Sequence, residues 1–168
     1  MKWGVIVLML LSVEAMAFDL TGWNEKRALH LHEAERLRAA YSNCVARIDQ
    51  PAEDVSVPLE TFEDGSVKVM VYAKKAQYFL QEGYVWAQGV VIRKFKDDGT
   101  VGAKIVAESC VVDRYSKSGW AEGPATVEHG KSRFSGKGIY FSSPDAYIKV
   151  FEASDCVSED LKFGGGGL

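Results

Sequence analysis

Two patterns of apolar and polar residues divide the chain into a helical part and a β part. Between Trp23 and about Ile48, apolar residues recur at alternating steps of three and four, which places them on one stripe of an amphipathic helix. The stripe consists of Ala34, Leu37, Tyr41, Cys44 and Ile48. Asn24 is the predicted N-cap, and Asp49-Gln50-Pro51 is the predicted stop. We expect the stripe either to cover an open end or side of the β part or to dock a partner.

From Ser66 onward the period changes to two, which indicates strands. Val67, Val69 and Val71 alternate with Lys68, Met70 and Tyr72. Strands and turns then follow one another to Phe163, and the clearest turn is residues 96–100, because its Asp-Gly pair readily supplies positive φ angles. Residues 50–65 contain two prolines and several acidic side chains, which predicts a linker. Residues 164–168 form a glycine-rich tail that we expect to be frayed.

The stretch 73–127 carries the same pattern twice, 34 residues apart. The matched pairs are Ala73 and Ala107, Ala76 and Cys110, Trp86 and Trp120, Ala87 and Ala121, and Gly89 and Gly123. A weaker third copy aligns residues 138–141 with residues 76–79, at a spacing that shrinks to 28. Repeats of this period are typical of stacked units that cannot bury their apolar faces alone. We predict a mainly β, repeat-built β-roll or jellyroll, with Trp86 and Trp120 at equivalent places on successive strand layers.

The first 17 residues predict an exported protein. Lys2 precedes an apolar run from Trp3 to Val13, and Ala15-Met16-Ala17 supplies the small residues that a signal peptidase requires. Cleavage after Ala17 leaves a mature protein of periplasmic location. The predicted organisation is therefore a signal peptide at 1–17, a leader and helix at 18–49, the linker at 50–65, a β domain at 66–163 and the tail at 164–168.

Composition, charge and cysteine content narrow the function. The chain has 168 residues, 47% hydrophobic residues and a net charge of −3, which is typical of one folded domain and gives no electrostatic reason to bind nucleic acid. In an oxidising compartment three mature cysteines leave at least one unpaired thiol, and the sequence does not choose among the three pairings of Cys44, Cys110 and Cys156. We interpret Cys110 as a small buried residue, because its counterpart in the first repeat is Ala76.

Residues that could carry catalysis are scattered. His30 and His32 are two apart on the predicted helix and cannot chelate one ion, so we expect both at the surface. His129 lies alone in a turn. Gly136-Lys137-Gly138, inside a strand pattern, predicts a bulge or a close backbone approach. We therefore expect no enzyme, no cofactor and no metal site.

A loose unit of small and aromatic residues is similar to a known family. It reads small-x-x-small-x-Tyr, then a turn, a strand, and a glycine followed by alternating Val or Ile. The matching residues are Ala73, Ala76, Tyr78, Gly89 and Val91, then Ala107, Cys110, Val112 and Gly123, then Gly138 and Tyr140. Over about residues 67–163 the chain resembles the OstA-like family of lipopolysaccharide transport, which includes LptA and LptC. The resemblance implies a β-jellyroll whose apolar interior carries acyl chains and whose edge strands join head to tail.

The resemblance implies a periplasmic lipid-binding protein that assists transport of lipopolysaccharide, or another glycolipid, to the outer membrane. Other β-jellyroll proteins are the expected partners through edge-strand pairing, and a homo-oligomer is compatible with it. Alternating strand residues give the expected lipid-binding wall, with Gln77, Val111 and Ile139 facing the other way. The wall residues are Ala76, Tyr78, Val91, Cys110, Val112, Gly138 and Tyr140. The alternative is a non-catalytic structural or adaptor protein that docks a partner through its helix or an edge strand.

Overall fold

One helix and one antiparallel sheet make up residues 20–158, the part of the chain that the computed structural model describes. Helix α1 spans Leu20–Val45. The strands are β1 (Ala52–Thr61), β2 (Val67–Phe79), β3 (Tyr84–Phe95), β4 (Val101–Asp113), β5 (Ser118–His129), β6 (Ser132–Ser142) and β7 (Tyr147–Ser158). Each strand pairs with the next one, so β1 and β7 are the two edges. The predicted fold class, a mainly β jellyroll-like architecture preceded by one helix, is confirmed. The predicted signal peptide, the end of the last predicted strand and the tail lie outside the described residues.

The predicted stripe of α1 is its buried face. Leu37 and Cys44 are fully buried, and Tyr41 and Ile48 pack against the same cluster. The predicted N-cap is wrong, because α1 begins at Leu20 and Asn24 lies within it. The helix ends at Val45, earlier than the predicted stop.

Helix α1 covers one face of the sheet, which we call the outer face. Its stripe packs in an outer cluster with aromatic side chains, chiefly Phe79, Trp86, Trp120, Tyr140 and Tyr147. The helix packs mainly on β3, β4 and β5, and its N-terminal half reaches the beginning of edge strand β7 through His30. Of the two expected roles for the helix, covering a side of the β part is therefore the one that the described residues display.

The opposite face of the sheet, which we call the inner face, carries smaller side chains than the outer face. The sheet bends toward this inner face. Gly89 and Gly123 occupy the left-handed region at φ 64° and 76°, and the register between β4 and β5 shifts beside Gly123. Glu60 of β1 accepts a hydrogen bond from the Ser143 hydroxyl, in the turn after β6. These two strands are five places apart, about 24 Å in a flat sheet. The sheet is therefore folded into a roll, with one inner cluster that includes Val69, Val90 and Ile139.

The 34-residue repeat is a pair of β-hairpins. β4 and β5 have the same bounds as β2 and β3 after a shift of 34 residues. The third copy is displaced by one residue from its predicted alignment. Ile139, not Gly138, lies in the same lateral row as Cys110, because both are paired with Ala121. A slip of one residue moves every side chain of a strand to the opposite face.

The predicted linker at 50–65 is wrong, because most of it is strand β1. Val55 and Val57 pair with Ala73 and Val71 of β2. Pro58 is tolerated because β1 is an edge strand, where one side of the backbone needs no partner strand. A register shift follows Pro58. The acidic residues and the proline that suggested a linker are also the residues that protect a sheet edge from unwanted pairing.

Candidate functional site

A cleft opens where the two halves of the folded sheet meet. Its volume is about 400 Å³, which falls in the range of about 300–1,000 Å³ that ligand pockets occupy. The apolar lining comes from both halves: Val69, Ile92, Ala103 and Ile105 on one side, and Phe141, Ala146 and Ile148 on the other. A smaller cavity of about 80 Å³ shares His129, Ala146 and Ile148 with it and continues toward edge strand β7. The arrangement is an apolar cleft that extends toward the edge of the sheet.

Lysines surround the mouth of the cleft. Lys94 pairs with Val69 across β2 and β3, so it lies on the inner face, and burial together with the nearby Lys68 lowers the pKa of its ammonium. Lys68 is held by Glu60 at 2.8 Å, and the same carboxylate accepts the hydrogen bond from Ser143. Within residues 20–158, Lys94 forms no ion pair. Lys96 also lines the cleft without an ion pair among residues 20–158, so the mouth offers two unpaired cations, with the carboxylate of Asp97 beside them.

Three of the seven residues predicted to touch lipid share the inner face. Ala76, Cys110 and Val112 belong to the inner cluster, and Cys110 is fully buried. They lie in the packed interior and do not line either cavity. Their predicted role in lipid binding stays a prediction, but the cleft that could hold a chain is lined by other residues.

The other four predicted wall residues lie elsewhere. Tyr140 is in the outer cluster beneath α1, which contradicts its predicted inward direction and follows from the one-residue slip of the third copy. Ile139 accordingly faces inward, whereas Val111 faces outward as predicted. A Cβ added to Gly138 would meet the Trp120 ring at 3.1 Å, so that position also faces outward.

Val91 and Tyr78 complete the predicted set. The residues beside Val91, Val90 and Ile92, are in the inner cluster, so Val91 points away from it. The alternation of β3 breaks at Gly89, which has a φ of 64°, because Ala87 and Val90, three residues apart, both lie in the inner cluster. Tyr78 is exposed, and its ring lies 5.3 Å from the Arg114 guanidinium.

His30 is buried, which corrects the expectation that both helix histidines are at the surface. Its ring stacks on Tyr147 with centroids 4.0 Å apart, and its Nδ1 lies 3.1 Å from the Tyr140 hydroxyl. Burial lowers the pKa of the imidazole, and the carboxylate of Asp145, 3.4 Å from Nε2, opposes that effect. The signal was present in the sequence, because His30 precedes Ala34 by four residues and extends the stripe. His32 is exposed, as expected.

A second polar group fastens the middle of α1 to the sheet. Arg36 contacts Asp113 at 2.6 Å and Glu33 at 2.5 Å, and it also donates to the hydroxyl of Tyr84. The hydrogen bond from Arg36 is the main reason that the pKa of Glu33 is lowered. Further along the helix, Tyr41 and Ser109 share a hydrogen bond of 2.7 Å. These contacts hold the helix on the sheet.

Among residues 20–158, no three His, Cys, Asp or Glu side chains come together as a metal would require. Helix α1, the helix of that region, is not long and apolar enough to cross a membrane. Gly136 lies at a register shift between β6 and β7, and a Cβ on it would meet the Glu152 carbonyl oxygen at 2.4 Å, which confirms the predicted close approach.

Comparisons with known proteins assign no family to this fold. No protein-family model matches the chain, and no curated protein matches it. The OstA-like resemblance therefore rests on the small and aromatic repeat residues and on the jellyroll-like fold, and it stays a hypothesis.

Proposed function

We propose that the chain binds the acyl chain of an amphiphile in the cleft between the two halves of its folded sheet. The observation that carries this proposal is the cleft itself, about 400 Å³ in volume and lined by Val69, Ile92, Ile105, Phe141 and Ile148. Apolar lining with few polar groups at one end suits a ligand with one apolar part and one polar head.

Lys94 gives the cleft a preference for the charge of the head group. An acidic head at the mouth would bring a counter-charge to an ammonium that burial disfavours. An anionic glycolipid such as lipopolysaccharide meets this description, and so does a simple fatty acid. The transport role toward the outer membrane comes from the OstA-like resemblance and is proposed on that basis.

Filling the mouth with a large side chain tests the proposal. Ala103 is on the inner face and lines the cleft, whereas Val106 is on the outer face and 38% exposed. We expect saturable binding of a fluorescent long-chain fatty acid by the wild type, at least tenfold weaker binding by Ala103→Trp, and unchanged binding by Val106→Trp. Equal affinity of all three proteins, or no binding at all, would refute the cleft as an acyl site.

The head-group preference has its own control. Lys94→Met should weaken binding of the fatty acid more than binding of the uncharged alcohol of equal chain length. Native mass spectrometry of protein from its source membrane fraction then identifies the bound amphiphile, and a co-purified glycolipid is the expected species. An equal loss for acid and alcohol would mean that Lys94 acts through packing alone.

A second function, that of a binding adaptor, is supported by the edge strands. β7 has no strand neighbour beyond it among the described residues, and Phe151 and Val157 are exposed on it. An edge of this kind can pair with a strand of another β-jellyroll or of a second copy. Proline at Val157, which removes a backbone donor from β7, should abolish such pairing in a cross-linking assay and leave acyl binding intact.

A further inference from the structure

The N-terminal half of α1 carries charged residues on its buried stripe. Arg27 precedes His30 by three residues and therefore continues the stripe toward the sheet. His30 lies flat on Tyr147, which fixes this part of the helix over the beginning of β7. Arg27 itself is half-buried, with its guanidinium 5.5 Å from the ring of Trp23.

Lys149 lies on the same outer face of β7, two residues beyond Tyr147. Lys149 is only 6% exposed, and its Nζ lies 4.7 Å from the centre of the Phe151 ring. Burial lowers the pKa of this ammonium, and the positive charge of Arg27 lowers it further. In the described part of the chain no carboxylate pairs with Lys149. A buried cation facing a second cation is unfavourable unless an anion accompanies them.

Two further polar atoms in this place lack partners. Arg27 Nε and the hydroxyl of Tyr147 are both buried, and neither makes a hydrogen bond within residues 20–158. Buried polar atoms of folded proteins are nearly always hydrogen-bonded, so each exception indicates a missing partner. Of the carboxylates on this part of the helix and in the turn before β7, Glu25 is exposed, Asp145 pairs with His30 and Glu33 pairs with Arg36.

We infer that Arg27, Tyr147 and Lys149 form a binding site for an oxyanion between the N-terminal half of α1 and strand β7. A guanidinium, an ammonium and a phenol hydroxyl can all donate hydrogen bonds, and a phosphate group accepts such bonds on several oxygens. The chemical class is therefore a phosphate, either free or as part of a phosphorylated lipid or sugar. The site is on the outer face, so it is separate from the acyl cleft on the inner face and does not depend on it.

Thermal unfolding in phosphate tests the site directly. At equal ionic strength, inorganic phosphate at ten times its Kd should raise the Tm of the wild type by about 4 °C relative to chloride. Arg27→Met and Lys149→Met should lose this rise. Lys26→Met is the matched control, because Lys26 adjoins Arg27 but is exposed, and it should keep the rise. An unchanged rise in Lys149→Met and Arg27→Met, or an equal loss in Lys26→Met, would overturn the inference.

Two additional measurements test binding by the intact wild-type protein and identify the source of the anion. Broadening of the ³¹P resonance of phosphate by the intact wild-type protein reports binding even where Lys149→Met does not fold, and Tyr147→Phe should reduce it. Co-sedimentation with vesicles of phosphatidylglycerol, compared with phosphatidylcholine, separates the sources of the anion. Retention on phosphatidylglycerol alone, lost in Arg27→Met but not in Lys26→Met, identifies a lipid head group, whereas phosphate binding without vesicle binding identifies a soluble phosphate. Absence of both would contradict the site.

Discussion

Trp86 and Trp120 lie on opposite sides of the same residue, Val111, and differ in the partner of the indole N–H. Both are paired with Val111 across β4, so their Cα atoms are two strand spacings apart, about 9.6 Å. This confirms the prediction that they occupy equivalent places. Trp120 Nε1 donates to Glu122 at 2.5 Å. Among the described residues Trp86 Nε1 is buried without a partner, and Gln88, which takes the place of Glu122 in the first repeat, is exposed.

The two tryptophans should therefore respond differently to the same substitution. Trp120→Phe loses a hydrogen bond to a charged group, whereas Trp86→Phe removes a donor that is already unsatisfied. We expect Trp120→Phe to lower the free energy of unfolding by about 1–2 kcal/mol more than Trp86→Phe, measured by urea denaturation. An equal or larger cost for Trp86→Phe would show that its N–H has a partner in solution.

His30 should make stability depend on pH below neutrality. Its pKa is lowered in the folded state by burial, so the unfolded chain binds a proton first as the pH falls. The contribution of His30 to the free energy of unfolding is fully present above its unfolded-state pKa of about 6.5. That contribution is lost as the pH falls through the lower pKa of the folded state. We expect the urea midpoint to fall between pH 7.5 and pH 5 in the wild type and in His32→Gln, and to fall less in His30→Gln. The same slope in all three proteins would assign the effect to other groups.

Gly136 and Gly130 form a second matched pair. A Cβ on Gly136 would lie 2.4 Å from the Glu152 carbonyl oxygen, whereas nothing is within 4 Å of one on Gly130, which has a φ of 56°. Gly136→Ala should destabilise the fold by more than the roughly 1 kcal/mol expected for Gly130→Ala from backbone strain alone. Thermal unfolding of the two variants measures the difference, and equal Tm values would mean that β6 and β7 separate easily at this point.

The three cysteines should differ in reactivity. Burial raises the pKa of the Cys110 thiol to about 12 and also raises that of Cys44, whereas Cys156 is exposed on β7. Since the thiolate is the reacting form, a thiol reagent should label one cysteine in the native protein and three after denaturation. Cys156→Ser should label at none in the native state. Native labelling of Cys44 in that variant would indicate that α1 leaves the sheet.

Local periodicity predicted much of the fold but not the cleft. The helix stripe and the hairpin repeat follow from side-chain spacing, which the sequence displays directly. Strand β1 was missed because protective features of an edge, such as Pro58, resemble those of a linker. The reversed direction of Val91 arises from the break in alternation at Gly89, and that of Tyr140 from the one-residue displacement of the third copy; a pattern of period two displays neither. The cleft brings Lys94 together with Ile148, and only the folded roll places two such distant residues side by side.

The hairpins β2–β3 and β4–β5 have equal strands, so the extent of the sheet across its strands can change only in fixed steps. One unit of 34 residues adds two strands, about 9.6 Å of sheet, and returns the chain to the same end and direction. Duplicating the unit at the β3–β4 boundary would therefore preserve which side chains meet α1 and which line the interior. Loss or gain of a single strand would instead reverse every strand after it. The sheet can therefore be extended by one hairpin at a time.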